Sequence, residues 1–308
     1  MISLRYKEKA TVIHRLNPFC KLAWVVSVFV LSLILDNPLF LFLLFLSTLP
    51  LVITAKVWRE WTSFMKFALY LCLAIIVINA LVSYQGEHVL FEAPFSIPVM
   101  GTPTITLEAI FYGIAMSIRL LAIVSAFAIL TLTLNPDDMM LSMIRMKMPY
   151  RSVLVTALST RFLPALIDDM ERIADVQRSR GLELDRGRLP QRIKRRMSVI
   201  IPLLSNSLDR TVQIAEAMES RAFGSGPKRT FYKEIKTSRT DMATLIFGFA
   251  PCALGIFMLI SGYGDYQYYP TLGGMDLSGL EWVMLPILVL LVSSVVFLAF
   301  LKRRVELD

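Results

Sequence analysis

The sequence predicts an all-α, polytopic membrane protein. Three observations carry that prediction: six long apolar runs, 56% hydrophobic residues with a mean hydropathy of +0.61, and loop lysines and arginines that fall only on alternate sides. A hydrocarbon core takes about 20 apolar residues per helix. Runs near 19–35, 38–55, 64–84, 107–134, 242–262 and 283–301 supply about six transmembrane helices. The first two are short and joined by Asp36, Asn37 and Pro38, a polar turn whose proline suits the first turn of the next helix, so they are expected to form a hairpin. One long buried helix is the alternative. Ahead of them, Arg5, Lys7, Lys9, Arg15 and Lys21 precede a long apolar run without a small-residue cleavage pattern, so this segment is expected to stay in the mature chain.

Composition narrows the chemistry. Cys20, Cys72 and Cys252 lie in apolar stretches without paired spacing, against a disulfide framework or zinc cluster. His14 and His88 are far apart and leave almost no material for a histidine metal site or a catalytic triad. Neither a cofactor nor a bound metal is expected.

Orientation follows from the basic residues. Residues 85–106 and 263–282 contain no lysine or arginine, so both loops are expected to face outward. Lys56, Arg59, Lys66, the stretch 145–239 and Lys302, Arg303 and Arg304 then share the cytoplasmic side with the N-terminus. Arg119 falls near the middle of the fourth span, where an unpaired charge costs at least about 2.5–3.5 kcal/mol, so it must face protein or water. Two roles stay open for it: an internal pair with a carboxylate such as Glu108 or Asp36, and a functional part in the protein's activity.

Between the fourth and fifth spans lies a basic insert with neither strand alternation nor a glycine-rich phosphate loop. Its first helix has Asn135 as a candidate cap, Pro136 in the first turn, Asp137 and Asp138 at the positive dipole end, and Met148-Pro149 as its stop. Two longer helical patterns follow, separated by Gly181 to Pro190. The first carries Leu158, Phe162, Leu166, Met170, Ile173 and Val176 on one face. The second carries Ile193, Met197, Ile200, Leu204, Leu208, Val212, Ala215 and Met218. Amphipathic helices without a core of their own must lie on something: the membrane interface, the transmembrane bundle or another protein.

The two long helices finish alike. Residues 173–181 (IADVQRSRG) and, 41 positions later, 214–222 (IAEAMESRA) share the isoleucine, the alanine, the serine and the arginine, and Asp175 matches Glu216. Each presents an arginine between small residues, Ser179-Arg180-Gly181 and Ser220-Arg221-Ala222, so that a planar guanidinium can enter a groove and meet a carboxylate or carbonyls. A single arginine before a glycine stop is ordinary, since cations suit helix C-termini. Its repetition points instead to a partner with two matching sockets, such as a pseudo-symmetric dimer.

With these motifs in place the chain resembles the T component, the transmembrane energy-coupling subunit, of energy-coupling factor (ECF) type ABC importers. The resemblance rests on the two Ser-Arg-small tips, on residues 14–22 (HRLNPFCKL), on Leu134-Asn135-Pro136-Asp137-Asp138, and on Pro149-Tyr150-Arg151 followed by Arg161-Phe162-Leu163-Pro164. Pro202-Leu203-Leu204 leading to 216–221 (EAMESR) completes it, so that it covers about residues 14–224. The apolar runs and loop charges divide the chain into domains at 1–134, 135–240 and 241–308 with both termini cytoplasmic, and the resemblance implies a multi-pass protein of a prokaryotic plasma membrane. It also implies two cytoplasmic ATPase subunits gripping Ser179, Arg180, Gly181, Ser220, Arg221 and Ala222, and a membrane S component that binds a vitamin or transition-metal ion. Candidate contacts to the S component are Met139, Met140, Met143, Leu158, Phe162 and Leu166. Packing of the methionines on the protein's own bundle is equally open. The family pattern has glycine more often at position 222, and many relatives have one span after the coupling region, so residues 242–301 are the part least supported by analogy.

Other classes fit less well. Asp137-Asp138 and Asp168-Asp169 resemble the magnesium-binding pairs of membrane transferases, yet one pair sits where a helix N-terminus favours acids and the other on a polar helix face. No G-x-x-x-x-G-K-[ST] sequence is present, so the chain itself is not expected to bind ATP. A self-sufficient six-span secondary transporter is the main rival, but such proteins place polar groups or interrupted helices at mid-membrane, and here only Arg119 stands out. A scaffold binding anionic lipid through Arg192, Lys194, Arg195 and Arg196 is the third reading. Nucleic acid is not expected, because no aromatics interleave with those charges.

Overall fold

The computed structural model describes residues 9, 11–14, 16–83, 86–92, 104–145, 148–184, 188–226, 239–274 and 279–305. Arg5, Lys7, Arg15, Met146 and much of the loop 85–106 lie outside the described residues, as do the side chains of Asp137, Arg303 and Arg304. In chain order the elements are α1 (Pro18–Ile34), α2 (Pro38–Ala55), α3 (Trp58–Val82), β1 (Val89–Glu92), β2 (Thr104–Thr106), α4 (Leu107–Thr133), α5 (Pro136–Arg145), α6 (Tyr150–Ser179), α7 (Leu189–Ser220), α8 (Arg239–Ile260) and α9 (Gly279–Val305). They form two compact units. One comprises Met1–Met139 with Ile235–Asp308, and the other comprises Met140–Glu234.

In the first unit α2, α3, α4, α8 and α9 are each long and apolar enough to cross a membrane, while α1 is apolar but only 17 residues long. An antiparallel pair of short strands, β1 and β2, joins the otherwise helical architecture. Helix starts follow a repeated device: the Oδ1 atoms of Asn17 and Asn37 accept from the N–H groups of Phe19 and Leu39 at 3.2 and 3.0 Å, and a proline follows each. The missing N–H of proline costs nothing there, and its φ is already helical. Asn135-Pro136 repeats the dipeptide at the start of α5.

Helices α1 and α8 run parallel, since Cys20 Sγ meets the Asp241 carbonyl at 3.3 Å and Ser27 Oγ donates to the Gly248 carbonyl at 2.6 Å. Helix α3 runs antiparallel to α4, where a Cβ on Gly113 would come within 3.0 Å of the Ile76 Cα. Buried Ala109, Ala115, Ala122 and Ala126 line the same helix, so small residues let backbones approach where burial of apolar surface gives no drive between lipid-solvated helices. Helix α9 is integral to this core: Met284, Leu288, Val292, Val295 and Ala299 are buried in it, and Trp24 Nε1 donates to the Val292 carbonyl at 3.0 Å.

One end of this unit is knit by charge. Lys21 Nζ donates to the carbonyls of His14 (3.0 Å) and Thr133 (2.8 Å), tying the segment before α1 to the end of α4. Asp241, 1% exposed, pairs with Lys302 at 2.8 Å and so clasps α8 to α9. His14, whose Nδ1 lies 2.6 Å from Thr11 Oγ1, has its pKa lowered to about 4, chiefly by burial and next by the nearby Lys21.

The second unit is a helical hairpin. Arg210 pairs with Asp169 at 2.8 Å, Gln177 Nε2 donates to the Ser198 carbonyl, Arg195 Nη1 donates to the Glu183 carbonyl, and Tyr150 stacks obliquely on Phe223. All four contacts require α6 and α7 to be antiparallel.

Candidate functional site

Both long helices end in the same backbone figure. At the end of α6, Gly181 N–H donates to the Arg178 carbonyl (2.9 Å) and Leu182 N–H to the Gln177 carbonyl (3.0 Å). At the end of α7, Ala222 N–H donates to the Glu219 carbonyl (2.8 Å) and Phe223 N–H to the Met218 carbonyl (3.0 Å). These are two Schellman caps, each closed by a left-handed residue, Gly181 at φ 83° and Ala222 at φ 54°. The serines repeat as well: Ser179 Oγ donates to the Val176 carbonyl at 2.8 Å and Ser220 Oγ to the Ala217 carbonyl at 3.1 Å. The sequence repeat is therefore a repeat of three-dimensional structure, down to the hydroxyls. The departure at Ala222 acts on the backbone, because a Cβ in the left-handed region costs about 1–2 kcal/mol where glycine costs none.

Arg180 and Arg221 occupy the C-cap positions, with φ/ψ of −81°/6° and −90°/16°. Both are exposed, and neither side chain has an ion pair or hydrogen bond to any described residue. Because the helices are antiparallel, the two tips sit at opposite ends of the hairpin. Each lies 11 residues beyond the Asp169–Arg210 contact, which places them roughly 30 Å apart at 1.5 Å per residue. The surroundings of the tips differ. Asp175 and Arg178 form an ion pair at 3.0 Å beside the first, whereas Glu216 and Glu219, at the matching positions of the second, are exposed and have no partner among the described residues.

The apolar faces divide in a way the periodicity did not foresee. On α7, Ile193, Met197, Ile200, Leu204, Leu208 and Val212 are all exposed. On α6, Leu158, Phe162 and Leu166 are half-buried and share a face with Asp169 and Gln177, which touch α7. Further along the same stripe Met170 and Val176 are exposed, and three apolar residues outside it, Val155, Leu163 and Ile167, are exposed as well. Sequence reasoning missed these three; the signal was a second apolar line one residue out of step with the first. In α5 and its flank, Met139 is exposed, Met140 is buried, Met143 is half-buried and Met148 is exposed.

Arg119 is held internally. Its Nη2 donates to Asp36 Oδ1 and to the Leu35 carbonyl (3.0 Å), and Nη1 approaches Met116 Sδ. The α1–α2 turn stops part-way along α4, so its carboxylate reaches mid-span. Residues after α8 cover the same turn: the Asp36 and Asn37 N–H groups donate to the Gly264 carbonyl, and Tyr268 Oη donates to the Asp36 carbonyl at 2.6 Å. Burial raises the Tyr268 phenol above its ordinary pKa, with Asp36 adding to the effect. Glu108, the other carboxylate considered for Arg119, instead accepts from His88: Nδ1 at 2.7 Å and N–H at 3.2 Å.

These features define a multi-pass helical membrane protein that carries a large amphipathic hairpin with two outward arginine tips. Residues 9–232 match the family described as Cobalt transport protein (CbiQ). The chain is 29% identical over 265 residues to the energy-coupling factor transporter transmembrane protein EcfT of Streptococcus equi subsp. equi, an alignment covering 82% of this chain and 94% of that protein. It is 28% identical over 268 residues to EcfT of Staphylococcus aureus (83% and 95% covered), and 29% identical over 259 residues to EcfT of Heliobacterium modesticaldum (80% and 91%). The chain belongs to this family and is a transmembrane energy-coupling component of the ECF type.

Proposed function

We propose that the chain transmits ATP-driven motion from two cytoplasmic ABC-type ATPase subunits to a membrane S component that takes up a vitamin or a transition-metal ion. The chain itself is non-catalytic. The observation that carries this reading is the pair of identically capped helix ends, each projecting an exposed guanidinium that bonds to no described residue. A solvated arginine gains little from a surface contact. Desolvated in a socket against a carboxylate it becomes an anchor whose truncation costs about 2–5 kcal/mol or more.

In this reading Ser179, Arg180, Gly181, Ser220, Arg221 and Ala222 form the ATPase contacts. The exposed stripe of α7 and the outward residues of α6 meet the S component. Met139, Met140, Met143, Leu158, Phe162 and Leu166 are further candidate contacts to it. The basic end of the membrane unit faces the cytoplasm of a prokaryotic cell, as the loop charges favour.

The test is uptake by cells expressing the complete transporter. Arg180→Ala or Arg221→Ala should each lower ATPase co-purification or uptake, and the double change should abolish uptake. Normal uptake by the double variant at normal expression ends the proposal. Transport by the chain reconstituted alone would favour a secondary transporter.

A further inference from the structure

We infer that Lys21 is a positioning residue: with Cys20 beside it, it holds together the two points at which the chain leaves and re-enters the membrane unit, so that force on the insert reaches that unit as one body instead of spreading its helices. This rests on the transmission reading above. It concerns how the membrane unit receives the force, not what grips the tips.

The insert is reached through two roots. The chain leaves the membrane unit at the end of α4, after Thr133, and re-enters it at the start of α8, where Asp241 stands in the first turn. Among the described residues these two helices scarcely touch each other, and α1 packs on both. A pull on the insert therefore acts on two rods with little direct contact between them. The first turn of α1 bridges them at that end. Lys21 Nζ donates to the Thr133 carbonyl at 2.8 Å, and Sγ of the neighbouring Cys20 donates to the Asp241 carbonyl at 3.3 Å. The same ammonium donates to the His14 carbonyl at 3.0 Å, and the Asp241 carboxylate carries the contact on to Lys302 of α9 at 2.8 Å. Two consecutive side chains of α1 thus gather α4, α8 and, through Asp241, α9.

Capping of α4 alone does not explain this arrangement. A cation favours the last carbonyls of a helix even from a solvated position, whereas Lys21 is 7% exposed, and Cys20, Thr133 and Asp241 are each 1% exposed. Burying an ammonium gives up hydration that only well-placed acceptors return. Lysine suits the place, because its flexible stem carries three donors that can reach acceptors on separate segments. The thiol of Cys20 is the weaker donor, which makes Lys21 the principal member of the clasp. The influence of the ammonium continues into the insert: Asp138, in the first turn of α5, lies within its electrostatic reach, and Leu134 and Asn135 alone separate α4 from α5. The residue that joins the roots is therefore also the one that faces the start of the insert.

Distance measurement in the complete transporter tests this. Thr131→Cys on α4 and Met242→Cys on α8, both exposed positions near the roots, carry nitroxide labels in a chain with Cys252→Ala; Cys20 and Cys72 are buried and are kept. The expected result with Lys21 in place is one narrow separation, the same with and without a non-hydrolysable ATP analogue. A separation that changes with nucleotide overturns the inference, and this measurement decides even where a Lys21 variant fails to assemble. In Lys21→Met, which keeps the stem and removes the donors, the separation should broaden when the analogue binds. Uptake per ATP hydrolysed should fall about tenfold, the equivalent of one hydrogen bond to a charged group, with the ATPase subunits still bound. A normal ratio of uptake to hydrolysis in assembled Lys21→Met transporter overturns the inference whatever its thermal stability, because a lysine that merely holds the fold alters the amount of intact protein and not the yield per ATP. Absence of ATP-driven uptake by the unaltered complex ends the transmission reading itself.

Discussion

In the membrane unit Lys21 reaches two carbonyls, Asp241 meets Lys302 and Arg119 meets Asp36, each across different helices. In the hairpin the charges of greatest interest, Arg180, Arg221, Glu216 and Glu219, reach no described residue. The difference follows from solvent. A charge among lipid-spanning helices must find its counter-group in its own chain, whereas a charge on an exposed helix end is hydrated and can remain available to another protein. The first kind of charge reports on folding and the second on association.

Mutation should separate the two kinds. The largest functional effect is expected from Arg180→Ala with Arg221→Ala: uptake disappears, while the thermal stability of the purified chain changes by less than about 0.5 kcal/mol, as for other exposed positions. A large loss of stability would break the comparison. Asp241→Ala should do the opposite and destabilise the membrane unit by about 3–5 kcal/mol, since it leaves the Lys302 ammonium without its carboxylate; thermal unfolding in detergent measures it.

Acid should act on the same unit. The His14 pKa in the folded chain is about 4, below the ordinary 6.5, so the unfolded chain takes up the proton first as pH falls. Its contribution is complete above pH 6.5, declines below that, and levels off under about pH 4, with a total loss of no more than about 3.5 kcal/mol. Unfolding midpoints of the unaltered chain and of His14→Gln should converge toward low pH. The smallest effect belongs to the hairpin: Ala222→Gly should gain about 1 kcal/mol by relieving the left-handed alanine, read as greater helicity of α7 in heat denaturation.

Much of this was legible in sequence because apolar run length and loop charge are one-dimensional signals. The α1–α2 hairpin, the Asn-Pro starts and the two long insert helices all follow from local patterns. The partner of Arg119 was narrowed to two carboxylates but not chosen, since the choice depends on how far the α1–α2 turn rises along α4. The β1–β2 ribbon has too few residues to show a period of two. The extent of burial along α6 was not legible because Val155, Leu163 and Ile167 are as apolar as Leu158, Phe162 and Leu166, and because Met170 and Val176, in step with the latter, are exposed. The matched tips were visible as letters; that both close through the same pair of hydrogen bonds was not.

The Asp169–Arg210 contact has a mechanical consequence. The 41-residue repeat maps one member of the pair onto the other, so the contact lies midway between the tips, 11 residues, about 16 Å, from each arginine. In the coupling role proposed above, opposite pulls at the two ends would turn the hairpin about this contact rather than carry it sideways.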